Sequence, residues 1–194
     1  MKIKLTCTLL FLLFASEFIA QTYAIDKEHS SVQIQIQRFG VIDVVGRFKD
    51  VEGSITYHKD DPTKTAAKST IKVDSYDANS AGGEAAVKSN VFLDAEAYPD
   101  ITFSSTKVIQ QGQKPHLVGN LTIHGVTKEV SLPLTIKGPL LDLPTKKQSI
   151  AFISTITINR QDYGVSFNAK LSSGTSIIGN DVKITLMILA LEEE

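Results

Sequence analysis

The segment Ser31-Val-Gln-Ile-Gln-Ile-Gln-Arg38 decides the fold class, because apolar and polar side chains alternate along it. In an extended strand, Val32, Ile34 and Ile36 lie on one face and the glutamines between them on the other. One face of such a strand is dry and the other is in contact with water. The segment therefore predicts a β-strand that covers an apolar interior.

The same two-residue period returns in seven further segments. Their apolar positions begin, in chain order, at Val51, Ile71, Ile101, Leu117, Val130, Ile150 and Val182. Turn residues such as Asp60-Asp61-Pro62, Gln111-Gly112 and Gly138-Pro139 separate them. Only residues 80–95 have helical character. Consecutive strands without helices between them predict an all-β, antiparallel domain of about eight strands.

Eight such strands can close as a barrel or stack as a sandwich, and the alternation leaves both open. A barrel removes exposed edges and has room for a small ligand or for a packed interior. Pro133 lacks the N–H that a sheet ladder needs, so its strand lies at an edge, at a bulge, or with that position free. No repeat or linker divides the chain, and we expect one domain.

Residues 1–24 are typical of a secretory signal peptide. Lys2 and Lys4 precede the apolar stretch 5–14, which is shorter than the roughly 20 residues that a membrane span needs. Small residues allow cleavage after Ala24 or after Ala20. We therefore expect a mature domain over residues 25–194 that is periplasmic or secreted. The alternative is a buried N-terminal helix.

Composition argues against several classes of function. Loss of residues 1–24 changes the formal net charge from −1 to −2, so the basic surface of a nucleic-acid-binding protein is missing. Cys7, the only cysteine, lies in the predicted signal peptide, so the mature domain can have no intrachain disulfide and no cysteine nucleophile. No second long apolar segment suggests an integral membrane span.

Catalytic and cofactor motifs are missing from the sequence. It has no Gly-x-Ser-x-Gly elbow, no phosphate-binding glycine loop, no dinucleotide fingerprint and no histidine spacing typical of a metal site. We therefore expect no enzyme activity, no metal and no resident cofactor. His58 and His116 lie in polar surroundings, whereas His29 and His124 lie at a strand start and a strand end. For these two, structural hydrogen bonding and contact with a ligand head group are both open.

Several longer strings go beyond periodicity. They are Asp26-Lys-Glu-His29-Ser30-Ser-Val32, Gly46-Arg47-Phe48, Gly53-Ser-Ile55-Thr-Tyr57, Tyr98-Pro99-Asp-Ile101-Thr-Phe103, Gly119-Asn-Leu121-Thr-Ile123-His124-Gly125-Val-Thr-Lys128, Arg160-Gln-Asp162-Tyr163-Gly164 and Gly179-Asn-Asp181-Val182. In this order and spacing, over roughly residues 24–190, the chain resembles the YceI-like family, also called polyisoprenoid-binding proteins. The resemblance implies an eight-stranded, lipocalin-like antiparallel barrel with an elongated apolar tunnel. It also implies an isoprenoid chain, an isoprenoid quinone or a fatty amide as ligand.

One stretch departs from that family's pattern. Members commonly carry an acidic-x-His-Leu-basic-Ser motif before a pair of phenylalanines. This chain reads Glu84-Ala-Ala86-Val-Lys88-Ser89 and then Phe92-Leu93, so that Ala86 stands where the histidine is expected. Any head-group contact made by that histidine is missing here, and the identity of the ligand transfers less securely from relatives.

The inward-facing apolar residues are predicted to bind the lipid chain. They are Val32, Ile34, Ile36, Phe48, Ile55, Tyr57, Ile71, Phe92, Ile101, Phe103, Leu121, Ile123, Leu132, Leu134, Phe152, Ile156, Phe167, Ile184 and Leu186. The candidates for contact with a polar head group are His29, His124, Arg160, Tyr163 and Asn168. Small residues at Gly53, Ala67, Gly119 and Ser154 could keep the interior open. For the Arg160–Tyr163 turn, hydrogen bonding that fixes the turn is the alternative.

The leading hypothesis is a non-enzymatic protein that carries or sequesters an amphiphilic lipid with a long isoprenoid or acyl chain. The alternative is a structural or stress-response β module with a solid core. A third option is a redox partner that binds a quinone. Access for the lipid is expected near residues 78–92, where Gly82-Gly83 provides a hinge. The sequence leaves homodimer formation open.

Overall fold

The structure, a computed structural model, describes residues 20–193. Residues 1–19 of the predicted signal peptide lie outside this range. The described strands are β1 (Gln21–Ile25), β2 (Ser31–Arg38), β3 (Ile42–Phe48), β4 (Val51–Tyr57), β5 (Ala66–Lys72), β6 (Tyr76–Ala78), β7 (Asp100–Gln111), β8 (Lys114–Ile123), β9 (Val126–Pro133), β10 (Thr135–Leu141), β11 (Gln148–Asn159) and β12 (Ile178–Glu192). Within the same residues the one α-helix, α1, is Ala81–Lys88.

These twelve strands form eight strand lines, because four of the lines are interrupted. Strand β2 continues β1 along one edge of β12, β4 continues β3, and β6 continues β5. The sixth line is β9 followed by β10. Each line pairs antiparallel with the next one in the chain, and β12 pairs with the first. The eight lines close as an up-and-down barrel, which confirms the predicted all-β, antiparallel fold.

A side chain bridges the interruption of the first line. Between β1 and β2, the hydroxyl of Ser30 donates to the carbonyl oxygen of Leu189 (3.1 Å) and accepts from the N–H of Leu189 (3.0 Å). The hydroxyl therefore takes over the two hydrogen bonds that a strand backbone would offer to β12. Ser30 is buried and fully satisfied, so the gap between β1 and β2 leaves that part of β12 with partners.

The sixth line changes its partner strand at Pro133. Strand β9 pairs with β8 as far as Pro133, and β10 then pairs with β11. The N–H of Leu134, at the junction, donates to the carbonyl oxygen of Pro115 (2.8 Å). Pro133 is the last residue of β9, where a missing N–H interrupts the ladder least. The position agrees with one of the three expected settings for this proline, in which its missing N–H does no harm to the sheet.

The barrel has two distinct ends. Helix α1, the β2–β3 turn and residues 165–177 lie at one end, which we call the mouth end. Strand β1 begins at the opposite end, where the β7–β8 and β10–β11 connections also lie, and which we call the far end. Two clusters of buried apolar side chains fill the wall between them, and Phe103, Val130 and Leu186 pack against both. The wall is therefore one continuous apolar surface.

Candidate ligand-binding cavity

A cavity of about 930 Å³ lies inside the barrel. This volume is within the range of about 300–1,000 Å³ that is usual for small-molecule sites. Its wall is made mainly of aliphatic and aromatic side chains that point inward from the strands. The interior of the barrel is therefore open and not solidly packed.

The cavity opens at the mouth end. Exposed residues of this end, including Arg38, Val45, Asn79 and Gly82, form part of its wall. At the far end the wall includes Ile55, Thr65, Leu134 and Phe152, and these side chains are buried. A bound chain would therefore be covered at the far end and accessible at the mouth.

Eighteen of the nineteen apolar residues predicted from the sequence lie on the cavity wall. They are Val32, Ile34, Ile36, Phe48, Ile55, Ile71, Phe92, Ile101, Phe103, Leu121, Ile123, Leu132, Leu134, Phe152, Ile156, Phe167, Ile184 and Leu186. Tyr57 lies outside the wall, and its ring packs edge-on against Phe152 with 6.1 Å between the centroids. Contact of these residues with a lipid stays a prediction.

The sequence reasoning missed other residues of the wall. Some stand on the same alternating runs, namely Val51, Leu117, Val130, Ile158, Val182 and Ile188, so the period contained the signal that finds them. Tyr76, in the three-residue strand β6, and Val165 and Ile177, between β11 and β12, also line the cavity. These three stand outside any long alternating run, and no pattern of the sequence identifies them.

The small residues expected to keep the interior open divide into two groups. Ala67 and Ser154 line the cavity, as expected of space-making residues. Gly119 instead makes room for a wall residue, because an added Cβ would lie 2.6 Å from the ring of Phe103. An added Cβ at Gly53 would collide with the backbone of β5 at Lys68. Both glycines thus permit close packing of the wall itself.

Arg160 is a buried cation on the cavity wall, only 5% exposed. Its guanidinium donates to the carbonyl oxygens of Val165, Phe167 and Gly179 and to the side-chain oxygen of Asn180. None of the ion pairs within residues 20–193 involves this arginine, and burial lowers its pKa. The four contacts leave one N–H of Nη1 for another acceptor.

Tyrosine hydroxyls add polar groups to an otherwise apolar wall. Tyr163, the other predicted residue of this turn, lies on the wall and is buried. Burial and the nearby charge of Asp162 raise the pKa of its phenol. Burial, with Glu84, likewise raises the pKa of Tyr76. Both phenols therefore stay protonated at neutral pH and can donate a hydrogen bond.

Three predicted head-group candidates lie away from the cavity wall. Nδ1 of His29 is 2.7 Å from a carboxylate oxygen of Asp26, and this hydrogen bond is the main cause of the raised pKa of the imidazole. The ring of His124 packs against that of Tyr98, with 4.5 Å between the centroids. Asn168 is exposed. For His29 and His124 this placement supports structural roles.

Two hydroxyls in the cavity have no hydrogen-bond partner. Ser154, in β11, and Thr65, just before β5, are each only 4% exposed, and their oxygen atoms are unpaired among the described residues. Both belong to the cavity wall. An unpaired hydroxyl in apolar surroundings costs about 1–3 kcal/mol. A ligand atom or a water molecule that binds there would recover part of that cost.

Helix α1 forms a thin part of the wall at the mouth. The hydroxyl of Ser80 caps it by accepting from the N–H of Gly83 (3.2 Å), and none of its residues is buried. Gly82, Gly83 and Ala86 line the cavity. Ala86, the position at which the family resemblance led us to expect a histidine, therefore faces the site with an apolar side chain.

No group of three or more His, Cys, Asp or Glu residues in the described chain could hold a metal ion. No helix within residues 20–193 is long and apolar enough to cross a membrane.

Known proteins resemble this chain over nearly the whole barrel. The family model described as the YceI-like domain matches residues 23–190. A UPF0312 protein of Pseudomonas aeruginosa is 34% identical over 159 residues, which are 79% of this chain and 81% of that protein.

Two solved structures share the fold. The crystal structure of BcnA from Burkholderia cenocepacia superposes with a TM-score of 0.74 at 24% identity, over 86% of this chain and 99% of that one. A polyisoprenoid binding domain from Saccharophagus degradans gives 0.67 at 12% identity, over 89% and 99%. With a family model that matches nearly all of the described residues, the chain belongs to the YceI-like family.

Proposed function

We propose that this protein binds one long-chain apolar lipid in the barrel and carries or sequesters it without chemical change. The cavity of about 930 Å³, apolar along its wall and covered at the far end, is the observation that supports this function. The Saccharophagus degradans domain of the same fold is described as binding polyisoprenoids. An isoprenoid chain, an isoprenoid quinone or a fatty amide matches such a wall.

Affinity for such a ligand comes mainly from apolar burial. Each methylene removed from water contributes about 0.8 kcal/mol, so a long chain needs few polar contacts. The polar groups that orient the ligand would be those near the mouth. Tyr76 and Tyr163 offer neutral phenol donors, and Arg160 has one N–H left. A carbonyl or amide oxygen is an acceptor that all three can serve.

Helix α1 is the segment that we expect to move when the ligand enters or leaves. It has eight residues, none of them buried, and Val87 is the helix residue that packs against the buried core. Gly82 lies at its first turn, and nothing lies within 4 Å of a Cβ added there. An outward movement of α1 would widen the mouth without breaking the pairing of the barrel.

We propose export to the periplasm or the exterior, with cleavage after Ala20. Strand β1 begins at Gln21, and Tyr23 within it is buried between β4 and β12. Cleavage after Ala24 would remove four of the five residues of β1. Cleavage after Ala20 leaves the strand whole, and for this reason we favour it over the other small-residue position.

Organic extraction of the protein purified from its own host, followed by mass spectrometry, tests the proposed function. We expect a stoichiometric isoprenoid or acyl lipid, with uptake of an added isoprenoid quinone or fatty amide by ligand-free protein. Repeated recovery of empty protein that takes up neither probe would overturn the proposal and favour a structural β module.

A further inference from the structure

The turn between β2 and β3 exposes a group of aliphatic side chains at the mouth end. Val41 is 85% exposed, Ile42 61% and Val45 56%. Phe39 and Gly40 form the turn with positive φ angles of 55° and 69°. We call residues 39–45 the mouth hairpin. Exposed aliphatic groups clustered on one hairpin mark a surface that binds a partner.

The mouth hairpin is continuous with the cavity. Val44 and Val45 lie on the cavity wall, and so does Arg38 just before the turn. Val45 is therefore both an exposed residue of the hairpin and a residue of the wall. A lipid chain that leaves the cavity over this side meets apolar atoms of the hairpin before it meets water.

A second loop lies beside the mouth hairpin. The N–H of Phe39 donates to the carbonyl oxygen of Ile177 (2.9 Å), and the side chain of Thr175 lies against Gly40. The same loop carries Leu171, which is exposed. The apolar surface therefore extends from the hairpin to a neighbouring loop.

Two exposed cations border this surface. The guanidinium of Arg38 lies 4.1 Å from the centre of the Phe39 ring, and Lys170 lies in the neighbouring loop. Neither takes part in an ion pair within the described residues. The acidic residue of the hairpin, Asp43, accepts a hydrogen bond from Gln35 (2.7 Å). Aliphatic side chains next to basic ones are typical of segments that enter the interface of a bilayer.

We propose that the mouth hairpin docks on the surface of a phospholipid bilayer, with Val41 and Ile42 among the acyl chains and Arg38 and Lys170 at the phosphates. Docking places the mouth against the membrane, so that a lipid passes between bilayer and cavity with little exposure to water. The inference rests on the proposed lipid-binding function and adds the partner from which the lipid is taken or to which it is given.

The far end supplies a matched control. Leu140 and Leu141, at the end of β10, are 72% and 52% exposed, and neither lies on the cavity wall. They are aliphatic residues of comparable exposure at the opposite end of the barrel. If exposed aliphatic groups alone caused membrane binding, this pair would bind as well as the mouth hairpin.

Vesicle flotation tests the proposal with the mature protein. Vesicles of phosphatidylcholine with one quarter phosphatidylglycerol should carry the wild-type protein, and the double variant Val41→Ser, Ile42→Ser should partition at least about tenfold more weakly. The variant Leu140→Ser, Leu141→Ser should float like the wild type. Wild-type protein that does not float, or a loss confined to the far-end variant, would overturn the proposal.

Tryptophan emission reports contact with the membrane directly, so this second test does not depend on whether the serine variants fold as well as the wild type. The chain contains no tryptophan, so Ile42→Trp and Leu141→Trp each introduce a single tryptophan, whose emission can be excited apart from that of the tyrosines. With vesicles, the emission of Ile42→Trp should shift to the blue and that of Leu141→Trp should not. A blue shift of neither, or of Leu141→Trp alone, contradicts the proposal. A third outcome also contradicts the proposal. In it, light scattering shows that the wild-type protein is a dimer, the Val41→Ser, Ile42→Ser variant is a monomer, and the wild type does not bind vesicles.

Lipid retention separates this proposal from the function on which it rests. The mouth-hairpin serine variant should still hold extractable lipid, because Val41 and Ile42 lie outside the cavity wall. Loss of flotation with retained lipid supports the docking surface. Full lipid binding by a wild-type protein that never floats would leave the proposed function intact and refute the docking surface.

Discussion

Nε of Arg160 donates to the carbonyl oxygen of Gly179 over 2.9 Å and thereby joins the end of β11 to the beginning of β12. The same guanidinium holds the carbonyl oxygens of Val165 and Phe167, on the segment that returns from β11 to β12. A single buried side chain therefore fixes the loop that forms one side of the cavity mouth. This arrangement favours the structural role of Arg160, and its remaining N–H keeps a ligand contact open.

Replacement of this side chain should destabilise the barrel. Arg160→Met leaves three carbonyl oxygens without their donor, at about 1–3 kcal/mol for each buried one. For a domain of this size we expect a melting temperature lower by at least about 6 °C. Arg47→Met, which removes an exposed ion pair with Asp77, is the control and should change it little. Equal effects of the two variants in calorimetry would refute this role.

Substitution by alanine should affect the melting temperature differently at two buried serines. The hydroxyl of Ser154 has no partner, whereas that of Ser30 makes two hydrogen bonds to Leu189. Ser154→Ala should leave the melting temperature unchanged or raise it, because it removes an unpaired hydroxyl from the cavity. Ser30→Ala should lower the melting temperature by about 2–6 °C. A marked loss of stability in Ser154→Ala would show that its hydroxyl has a partner in solution.

The pKa of His29 should depend on Asp26. Their hydrogen bond is the main cause of the raised pKa, so the protonated imidazole is the form that the folded state favours. The resulting stabilisation is fully present below the ordinary histidine pKa of about 6.5 and disappears as the pH rises through the raised value. In an NMR titration, Asp26→Asn should return His29 toward its ordinary pKa. An unchanged titration curve would exclude this pair as the cause.

The proposed export and cleavage after Ala20 predict a mature protein that begins at Gln21. Cleavage there preserves β1 and the burial of Tyr23 between β4 and β12. The intact mass of protein recovered from the periplasm measures the position directly, and a chain that begins at Ile25 would be the contrary result. Protein expressed from Ile25 onward should melt at a lower temperature, because it lacks the buried Tyr23 ring.

Much of the fold and of the cavity wall followed from two-residue alternation. The period tells which face of a strand is apolar, and the strand residues predicted from it lie on the cavity wall with the exception of Tyr57. Phe92 and Phe167, which also line the cavity, stand outside the strands. Tyr57 has the same phase as Ile55 but stands at the end of its strand, where its ring packs against Phe152 at the rim. Phase alone does not tell how far along a strand the interior reaches.

Other features depend on contacts between distant segments. The interruptions of the strand lines require partners such as Leu189 for Ser30, 159 residues apart, and no local pattern announces them. Similarly, the hydrogen-bond partners of Arg160 lie up to 20 residues further along the chain. The motif that contains Arg160 drew attention to the residue, but only the folded loop shows that nearly all of its donors are used internally.

Two neighbouring alanines on β5 allow the most direct test of lipid binding. Ala67 lines the cavity, whereas Ala66 is exposed on the outer face of the same strand. A phenylalanine at position 67 would displace roughly two methylene equivalents of ligand, which corresponds to about tenfold weaker binding. Native mass spectrometry after incubation with an isoprenoid quinone should show high occupancy in wild type and Ala66→Phe and low occupancy in Ala67→Phe. Equal occupancy in both variants, or none in the wild type, would contradict a lipid-binding cavity.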